Sequence, residues 1–294
     1  PQWERYIRSA HDRGLNFVLT GSNASLLSKE LGTKLTGRYL MKELFPFSYA
    51  EYNRMIKAKA SLLSFEGYLE YGGFPDYVRE NNPEILHQLL RDVINRDILV
   101  RYGLRQPQTI NDLAIYLLSN VGKKFSYNKL SKLFEIKSTT TTITYGSYLE
   151  DAYLLFTIPM FSYSLKKQKV NQKKLYAIDT GFIKANTLSF SADKGRLLEN
   201  LVFLSLRRKY SEIYYFEGRG ECDFVVRDKG KVLLAVQVCY QLTEQNLGRE
   251  VRGLENAIEE TGAQEAVILS MDQEDEIHGF KVVPVWKWIV TFDQ

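Results

Sequence analysis

Residues 15–52, LNFVLTGSNASLLSKELGTKLTGRYLMKELFPFSYAEY, carry the pattern that decides the predicted fold. An apolar run over residues 15–20 ends in the polar cluster Thr20-Gly21-Ser22-Asn23. A buried parallel strand has this composition when it delivers polar groups to the carboxyl edge of a sheet, where ligands bind. The stretch therefore predicts a buried strand over residues 15–20, with Ser22 and Asn23 at a ligand-binding edge.

Two segments that would complete a nucleotide site are missing from the sequence. One is a glycine-rich loop ending in Gly-Lys-Ser or Gly-Lys-Thr, whose backbone amides hold phosphates, and the other is an acidic strand end that holds magnesium. No Gly-Lys-Ser or Gly-Lys-Thr tripeptide occurs in the 294 residues. We therefore expect this chain alone to bind ATP poorly and to carry no cofactor.

The order of strand, TGSN, helix, LTGRY and FPFSYAEY resembles the second half of the AAA+ core in a group of bacterial and archaeal ATPases. That group carries a C-terminal nuclease-like domain of unknown function, and its Walker A and Walker B segments precede the point at which this sequence begins. The resemblance covers about the whole chain. It implies that Ser22 and Asn23 sense the gamma-phosphate and that Arg38 is a finger arginine, in cis or on a neighbour. It also implies ATP and magnesium as cofactors of a longer ATPase.

Composition narrows the classes of protein further. A formal charge of +4 and a pI near 8.8 are too mild to establish a nucleic-acid partner, because a basic surface would have to be local. No apolar run approaches the ~20 residues that span a bilayer, and the N-terminus lacks a signal pattern. We therefore expect a cytoplasmic protein with no membrane partner. Its two cysteines have no metal-ligand spacing, so zinc is not supported.

The patterns together predict a multidomain α/β protein. Ser48 is placed to cap a helix, and residues 62–102 are mostly of helical pattern, interrupted by Gly72-Gly73-Phe74-Pro75. Alternating helices and strands follow residue 179 and indicate a mixed sheet. The predicted units are the distal half of an AAA+ P-loop core at 1–55, a helical lid at 56–105, a winged helix at 106–178, and a restriction-endonuclease-like α/β domain at 179–294.

Three short helices followed by two strands predict the winged helix. Ser126 and Ser138 are placed to cap its second and third helices. The candidates for contact with DNA are Lys137 at the start of the third helix and Lys166, Lys167, Lys169, Lys173 and Lys174 in a turn at the tip between the strands. The alternative is a solvated hairpin on a winged helix that packs against protein, since the third helix has no arginine. The expected partners are therefore nucleic acid, or another protein or a second copy of the chain.

The C-terminal region holds the layout of a PD-(D/E)xK nuclease with changes at two positions. Glu199 falls on a predicted helix, Asp223 on one strand, and Gln237-Val238-Cys239 on the next strand. In such nucleases, carboxylates on two paired strands hold a divalent metal, and a lysine two residues after the second carboxylate activates water. Gln237 takes the place of that carboxylate and Cys239 that of the lysine, so a catalytic site of Glu199, Asp223 and Gln237 would be degenerate.

The metal-binding capacity of this degenerate site is expected to be weak. A glutamine removes a negative charge from a site that depends on charge, and a thiol is a poor ligand for magnesium. Asp223 and Glu199 are the remaining candidate ligands, with Glu221 as a helper and Arg249 as an electrostatic substitute for the lysine. The favoured interpretation is an inactive domain used for binding or assembly. Three hypotheses stay open: the distal part of an ATPase, a DNA-binding module, and an active metal nuclease.

Overall fold

A computed structural model describes residues 3–21, 40–104, 106–187 and 193–292. The predicted nucleotide-sensing residues Ser22, Asn23 and Arg38 lie outside these ranges, as does the helix expected after residue 22. The prediction of a buried strand over residues 15–20 is wrong. Those residues are exposed and have no regular secondary structure, and no described strand pairs with them. The Leu15 N–H donates to the Ala10 carbonyl at 3.1 Å, which extends the end of the first helix rather than a strand.

The first half of the chain is mainly helical, and serine side chains begin several helices as predicted. Ser48 Oγ accepts a hydrogen bond from the Glu51 N–H at 3.3 Å, and Ser138 Oγ accepts one from the Thr141 N–H at 3.1 Å. No helix of the described ranges is long and apolar enough to cross a membrane. In those ranges the first helices are α1 (Trp3–Asp12), α2 (Tyr49–Met55), α3 (Leu62–Tyr71), α4 (Pro75–Glu80), α5 (Glu84–Asp92), a π-helix (Val93–Val100), α6 (Pro107–Leu118), α7 (Tyr127–Leu133) and α8 (Thr139–Asp151).

A small antiparallel sheet accompanies α6, α7 and α8. Its strands are β1 (Lys124–Phe125), β2 (Leu155–Pro159) and β3 (Lys173–Ala177), in the order β1-β3-β2. The turn expected between β2 and β3 contains a short helix instead, α9 (Leu165–Val170). Ser164 caps this helix by accepting a hydrogen bond from the Lys167 N–H at 3.5 Å, which satisfies a backbone donor of its first turn.

The rest of the chain forms a mixed six-stranded sheet with helices, which confirms the predicted α/β class. The strand order is β4-β5-β6-β7-β9-β8; β4, β5 and β6 are antiparallel, β6, β7 and β9 are parallel, and β8 is antiparallel to β9. The elements are α10 (Thr180–Asn186), α11 (Lys194–Lys209), β4 (Glu212–Glu217), β5 (Glu221–Asp228), β6 (Lys231–Cys239), α12 (Glu244–Thr261), β7 (Glu265–Ser270), β8 (Asp275–Ile277), β9 (Phe280–Pro284) and α13 (Val285–Phe292).

Helices α11 and α12 cover opposite faces of the large sheet at β5 and β6. Phe224 and Val226 of β5 belong to the core cluster that includes the leucines of α11. Val225, between them, belongs to a second cluster with Val251 and Leu254 of α12. This alternation follows from the period of two in a strand and buries β5 on both faces.

The two sheets are joined beside β4. The Phe161 N–H donates to the Tyr215 carbonyl at 2.7 Å, and the Tyr215 hydroxyl donates to the Gln172 carbonyl at 2.7 Å. Gln172 immediately precedes β3. These bonds hold the small sheet against the large one, so side chains of β3 reach β5.

Helix α11 also holds the segment that precedes α2. Arg207 forms two contacts with the Glu43 carboxylate, Nη1 to Oε2 at 2.8 Å and Nη2 to Oε1 at 2.9 Å, and the Tyr153 hydroxyl donates to the same Oε1 at 2.9 Å. Arg208 Nη2 donates to the Pro46 carbonyl at 2.7 Å. A bidentate arginine–carboxylate pair fixes geometry as well as charge, so these contacts define how residues 43–46 lie on α11.

A second fixed junction lies where α3 ends. Asp179 is buried and caps α10, with Oδ1 accepting from the Phe182 N–H at 2.9 Å. Its Oδ2 accepts from the Gly73 N–H at 2.6 Å. Gly72 has a φ of +69°, and a Cβ there would lie 2.1 Å from Asp179 Oδ1. Glycine at position 72 is therefore required by both the backbone conformation and the close approach of the carboxylate.

Candidate functional site

Among the described residues, buried charged groups are most concentrated around the side chain of Lys174. Its Nζ lies 2.8 Å from Asp223 Oδ1, 3.2 Å from Glu199 Oε1 and 3.2 Å from Glu221 Oε1. The lysine side chain is 4% exposed. An ammonium has three N–H donors, and here each carboxylate supplies one acceptor. We call Lys174, Glu199, Glu221 and Asp223 the acid cluster.

The acid cluster is built by three elements that meet where the small sheet abuts the large one. Lys174 and Tyr176 lie two residues apart on β3 and therefore share a face. The Tyr176 hydroxyl donates to Glu199 Oε1 at 2.7 Å, so α11 and β3 are joined by this bond as well as by the ion pair. Asp223 Oδ2 accepts from the Val238 N–H at 2.9 Å, which fixes its carboxylate relative to β6.

The rim of the acid cluster is more exposed than its centre. Lys124 of β1 has its Nζ 3.0 Å from Glu221 Oε2 and 3.0 Å from Glu217 Oε2, and its side chain is 20% exposed. Glu221 is 43% exposed, whereas Glu199 and Asp223 are 13% and 11% exposed. The positive charge of Lys174 therefore acts where solvent screening is weakest.

Burial and charge act in opposite directions on these groups. Burial raises the pKa of Glu199 to about 7, although Lys174 opposes the shift. Burial disfavours the charged form of Lys174, but Asp223 and Glu199 outweigh it and hold the pKa of the ammonium well above its ordinary value. Burial also acts against ionised Glu221, yet Lys174 and Lys124 lower its pKa. The carboxylates of the acid cluster therefore favour the charged form of Lys174.

Strand β6 is the second strand of the predicted nuclease pattern, and its residues Gln237 and Cys239 contact the α12 side rather than the acid cluster. Gln237 Nε2 donates to Glu250 of α12, and Gln237 Oε1 accepts from the Asp223 backbone N–H at 3.3 Å. The Arg249 guanidinium binds Glu250 and is 78% exposed. Cys239 belongs to the core cluster on the α12 side of the sheet. Glu199, Glu221 and Asp223 are thus brought together, while Gln237, Cys239 and Arg249 contribute no side chain to that group.

The acid cluster does not fit a divalent metal as it stands. A metal held by Glu199, Glu221 and Asp223 would need the position that Lys174 Nζ occupies. Within the described ranges, no group of three or more His, Cys, Asp or Glu side chains is placed to hold a metal ion. The weak metal binding expected of Asp223 and Glu199 stays a prediction.

Lys174 is the residue whose role the sequence pattern does not predict. Five lysines within residues 166–174 indicate an exposed tip, and Lys174 is the last of them. In the structure it is the second residue of β3 and is buried. A sequence signal exists, because Lys174 directly precedes the apolar run Leu175-Tyr176-Ala177-Ile178 and shares the strand face of Tyr176.

Four other lysines proposed for DNA contact occupy two places. Lys137 is exposed and immediately precedes Ser138, the cap of α8. Lys166, Lys167 and Lys169 are exposed on α9. Their role in binding stays a prediction.

Comparison with known proteins gives three matched regions. The sequence model of an AAA domain matches residues 1–53. Two models described as domains of unknown function, DUF8612 and DUF4143, match residues 62–193 and 194–288. No solved structure matches the chain.

Two relatives align with nearly the full chain. A protein of Methanocaldococcus jannaschii, described as uncharacterized, is 34% identical over 99% of this chain and 72% of its own length. A protein of Haemophilus influenzae with the same description is 27% identical over 98% of this chain and 74% of its own length. The chain therefore belongs to the family of the archaeal protein, and its residues 1–53 are similar to an AAA domain.

Proposed function

We propose that this chain is the distal part of an AAA+ ATPase whose C-terminal domain is nuclease-like, catalytically inactive, and used for binding or assembly. The observation that carries the inactive assignment is the Lys174 ammonium at the centre of Glu199, Glu221 and Asp223. A nuclease of this class needs a divalent cation to polarise the phosphodiester and to activate water. An ammonium in that position supplies charge but no metal-bound hydroxide.

The match of residues 1–53 to an AAA domain supports the ATPase part. In this proposal Ser22 and Asn23 sense the gamma-phosphate, Arg38 acts as a finger arginine, and ATP and magnesium are bound by residues of a longer protein. The contact of Glu43 with Arg207 links this region to the C-terminal domain.

The arrangement of the C-terminal domain supports the nuclease-like part. A helix bearing Glu199 precedes an antiparallel strand pair, and Asp223 and Gln237 lie side by side on that pair. Gln237 replaces a charged ligand by a neutral one, and its amide is engaged by Glu250. This order of elements supports the assignment, whereas Gln237 and Cys239 of β6 lie on the α12 side and contribute no side chain to the acid cluster.

Cleavage assays test the inactive assignment. The purified chain is incubated with DNA and with RNA in magnesium and in manganese, and Asp223→Ala is the matched control. We expect no cleavage above the level of the Asp223→Ala protein. Metal-dependent cleavage that disappears in that variant would overturn the assignment.

Calorimetry with ATP tests the ATPase assignment. This chain is expected to show no saturable ATP binding, whereas a longer protein with a phosphate loop binds ATP. In the longer protein, Arg38→Ala should reduce turnover more than binding, because a finger arginine stabilises charge in the transition state. Equal losses of both would assign Arg38 a structural role.

Binding of DNA is a second proposed function for the middle region. The order helix, strand, two helices and two strands, with the sheet order β1-β3-β2, supports a winged helix. The lysines that would contact phosphates are Lys137, Lys166, Lys167 and Lys169, all exposed.

Anisotropy measurements across a range of salt concentrations test this second function. Replacing Lys166, Lys167 and Lys169 by Ala should weaken binding to all sequences alike and reduce the salt slope by ~0.9 for each phosphate that is no longer neutralised. A control with Lys59, Lys229 and Lys231 replaced by Ala removes the same charge from exposed positions outside the middle region. An identical loss of affinity in both triple variants would indicate a net-charge effect.

A further inference from the structure

A cavity of about 250 Å³ lies where strand β2 of the small sheet approaches strand β4 of the large one. Elements from both regions line it: α8, β2 and α9 on the side of the small sheet, and α11 and β4 on the side of the large sheet. Small ligands commonly bind at such junctions, in cavities of roughly 300–1,000 Å³ when the ligand is drug-sized. This cavity is smaller, so it suits a small molecule. The lining residues that bear on its chemistry are Glu150, Phe156, Phe203, Arg207, Glu212 and Tyr214.

The Glu150 carboxylate lines this cavity without a cationic partner. Its Oε1 accepts a hydrogen bond from the Thr157 hydroxyl, but no lysine, arginine or histidine of the described ranges forms an ion pair with it. Glu150 is also the second-last residue of α8, where the helix dipole disfavours a negative charge. Burial raises the pKa of Glu150, although Thr157 and the more distant Lys173 oppose the shift. A cation at this carboxylate would therefore be stabilising.

The other charged side chains of the cavity are already compensated. Arg207 contacts both carboxylate oxygens of Glu43, at 2.8 Å and 2.9 Å. Glu212 accepts from the Arg227 guanidinium at 3.2 Å. Neither pair includes Glu150, so Glu150 is the lining charge that a ligand can neutralise.

Aromatic rings make up much of the remaining lining. Phe156 and Phe203 pack with their ring centroids 5.6 Å apart, and Tyr214 lies on β4. The Arg207 guanidinium lies 5.8 Å from the centroid of Phe156, so an organic cation already packs against these rings. Aromatic faces attract ammonium groups and also cover hydrocarbon. One carboxylate beside aromatic rings suits an organic ammonium ion, whereas a divalent metal ion needs several oxygen ligands.

We propose that this cavity binds a small organic ammonium cation, a linear aliphatic amine, with the ammonium group on the Glu150 carboxylate and the hydrocarbon against Phe156, Phe203 and Tyr214. The proposal is independent of the ATPase, nuclease-like and DNA-binding assignments. Because the lining comes from both regions, the bound amine would stabilise the junction between β2 and β4 and raise the unfolding temperature of the chain.

Titration of the full chain with butylammonium chloride, followed by the NMR signals of labelled isoleucine methyl groups, tests the site. Ile158 and Ile213 line the cavity, whereas Ile268 and Ile289 are buried elsewhere. We expect saturable shifts of the first pair and none of the second. 1-Butanol, a neutral probe of the same length, should bind about tenfold more weakly, because it lacks a hydrogen bond between charged groups. Absence of saturable shifts at Ile158 and Ile213 overturns the proposal.

The variant Glu150→Gln assigns the carboxylate, since it keeps the size of the side chain and removes its charge. Its affinity for butylammonium should fall about tenfold, while its affinity for 1-butanol stays the same. Asp151→Asn is the matched control, because Asp151 is the next residue of α8, accepts from the Tyr102 hydroxyl at 3.2 Å and does not line the cavity. Equal losses in both variants, or no loss in Glu150→Gln, overturn the proposal.

The unmodified chain decides the matter if Glu150→Gln does not fold. Preference for butylammonium over 1-butanol at Ile158 and Ile213 then supports the proposal, and equal affinities for the two probes overturn it. The unfolding temperature gives a second measurement, since butylammonium should raise it more than 1-butanol does at the same concentration.

Discussion

The acid cluster and the junction at Asp179 both bury carboxylates, but they compensate the charge by different means. Glu199 and Asp223 depend on the ammonium of Lys174. Asp179 instead accepts hydrogen bonds from the backbone N–H groups of Gly73 and Phe182. The first region therefore depends on one side chain that a mutation can remove. The second depends on the positions of backbone N–H groups, so a substitution disturbs it by displacing the backbone.

The largest expected effect on stability is at Lys174. Lys174→Met should lower the free energy of unfolding by about 3–5 kcal/mol near neutral pH, because it leaves buried carboxylates without a counter-charge. Urea unfolding in a metal-free buffer measures this. Lys173→Met should change the free energy by less than about 1 kcal/mol. A decrease below ~1 kcal/mol for Lys174→Met would show that solvent already compensates the carboxylates.

A comparison of two glycines tests the geometry at Asp179. Gly72 and Gly262 both end helices with a φ of +69°, but a Cβ at Gly72 would meet Asp179 Oδ1 at 2.1 Å, whereas one at Gly262 meets nothing within 4 Å. Gly72→Ala should cost about 2–4 kcal/mol and Gly262→Ala about 1 kcal/mol. The ψ of Gly72, −156°, is essentially restricted to glycine and adds to the difference. Thermal unfolding of both variants gives the comparison, and equal costs would contradict a close contact with Asp179.

The pH dependence of stability should separate Asp179 from the acid cluster. Burial raises the pKa of Asp179 from 3.8 to about 6, although the N–H groups of Gly73 and Phe182 oppose the shift. Between these values the folded chain binds more protons than the unfolded chain, so stability falls as pH rises through this window. The contribution is at most about 1.4 kcal/mol per pH unit.

Asp179→Asn removes this titration. Its unfolding free energy should fall less steeply between pH about 4 and 6 than that of the unmodified chain, whatever its absolute stability. Glu199, whose pKa is raised to about 7 by burial, contributes a slope of the same sign that remains in the variant. Superimposable slopes for the two proteins in urea unfolding would exclude Asp179 as the titrating group.

The smallest expected effect is at Lys124, which contacts the same Glu221 as Lys174 but is more exposed. Lys124→Ala should cost about 1 kcal/mol or less, and less still at high salt, because solvent and ions screen its pairs. Chemical unfolding at two salt concentrations measures this. A cost similar to that of Lys174→Met would show that the rim and centre of the acid cluster act as one network.

Local signals predicted most of the helices and strands, and tertiary contacts account for what they missed. Ser48, Ser126 and Ser138 begin helices as predicted, because a cap acts within three residues. The layout of Glu199, Asp223 and Gln237 on one helix and two paired strands was also predictable. The buried strand over residues 15–20 was not correct, since a strand depends on partners distant in sequence.

The centre of the candidate site was predictable only in part, because local sequence signals do not reveal tertiary contacts. Asp223, Glu199 and Glu221 follow from the nuclease-like pattern, but the burial of Lys174 follows from docking of β3 on the large sheet. Strand periodicity also did not show that Gln237 bonds Glu250 of α12, because that contact depends on how the helix packs.

Helix α11 carries one residue of the acid cluster and one residue that holds Glu43. Glu199 and Arg207 are eight residues apart on it, about 12 Å at the ~1.5 Å rise of an α-helix. The backbone hydrogen bonds of an α-helix resist stretching. A displacement of Glu43 along the axis of α11 would therefore either break its bidentate contact with Arg207 or shift Glu199 by a similar amount. A change in how residue 43 contacts α11 is therefore expected to alter the position of Glu199 in the acid cluster.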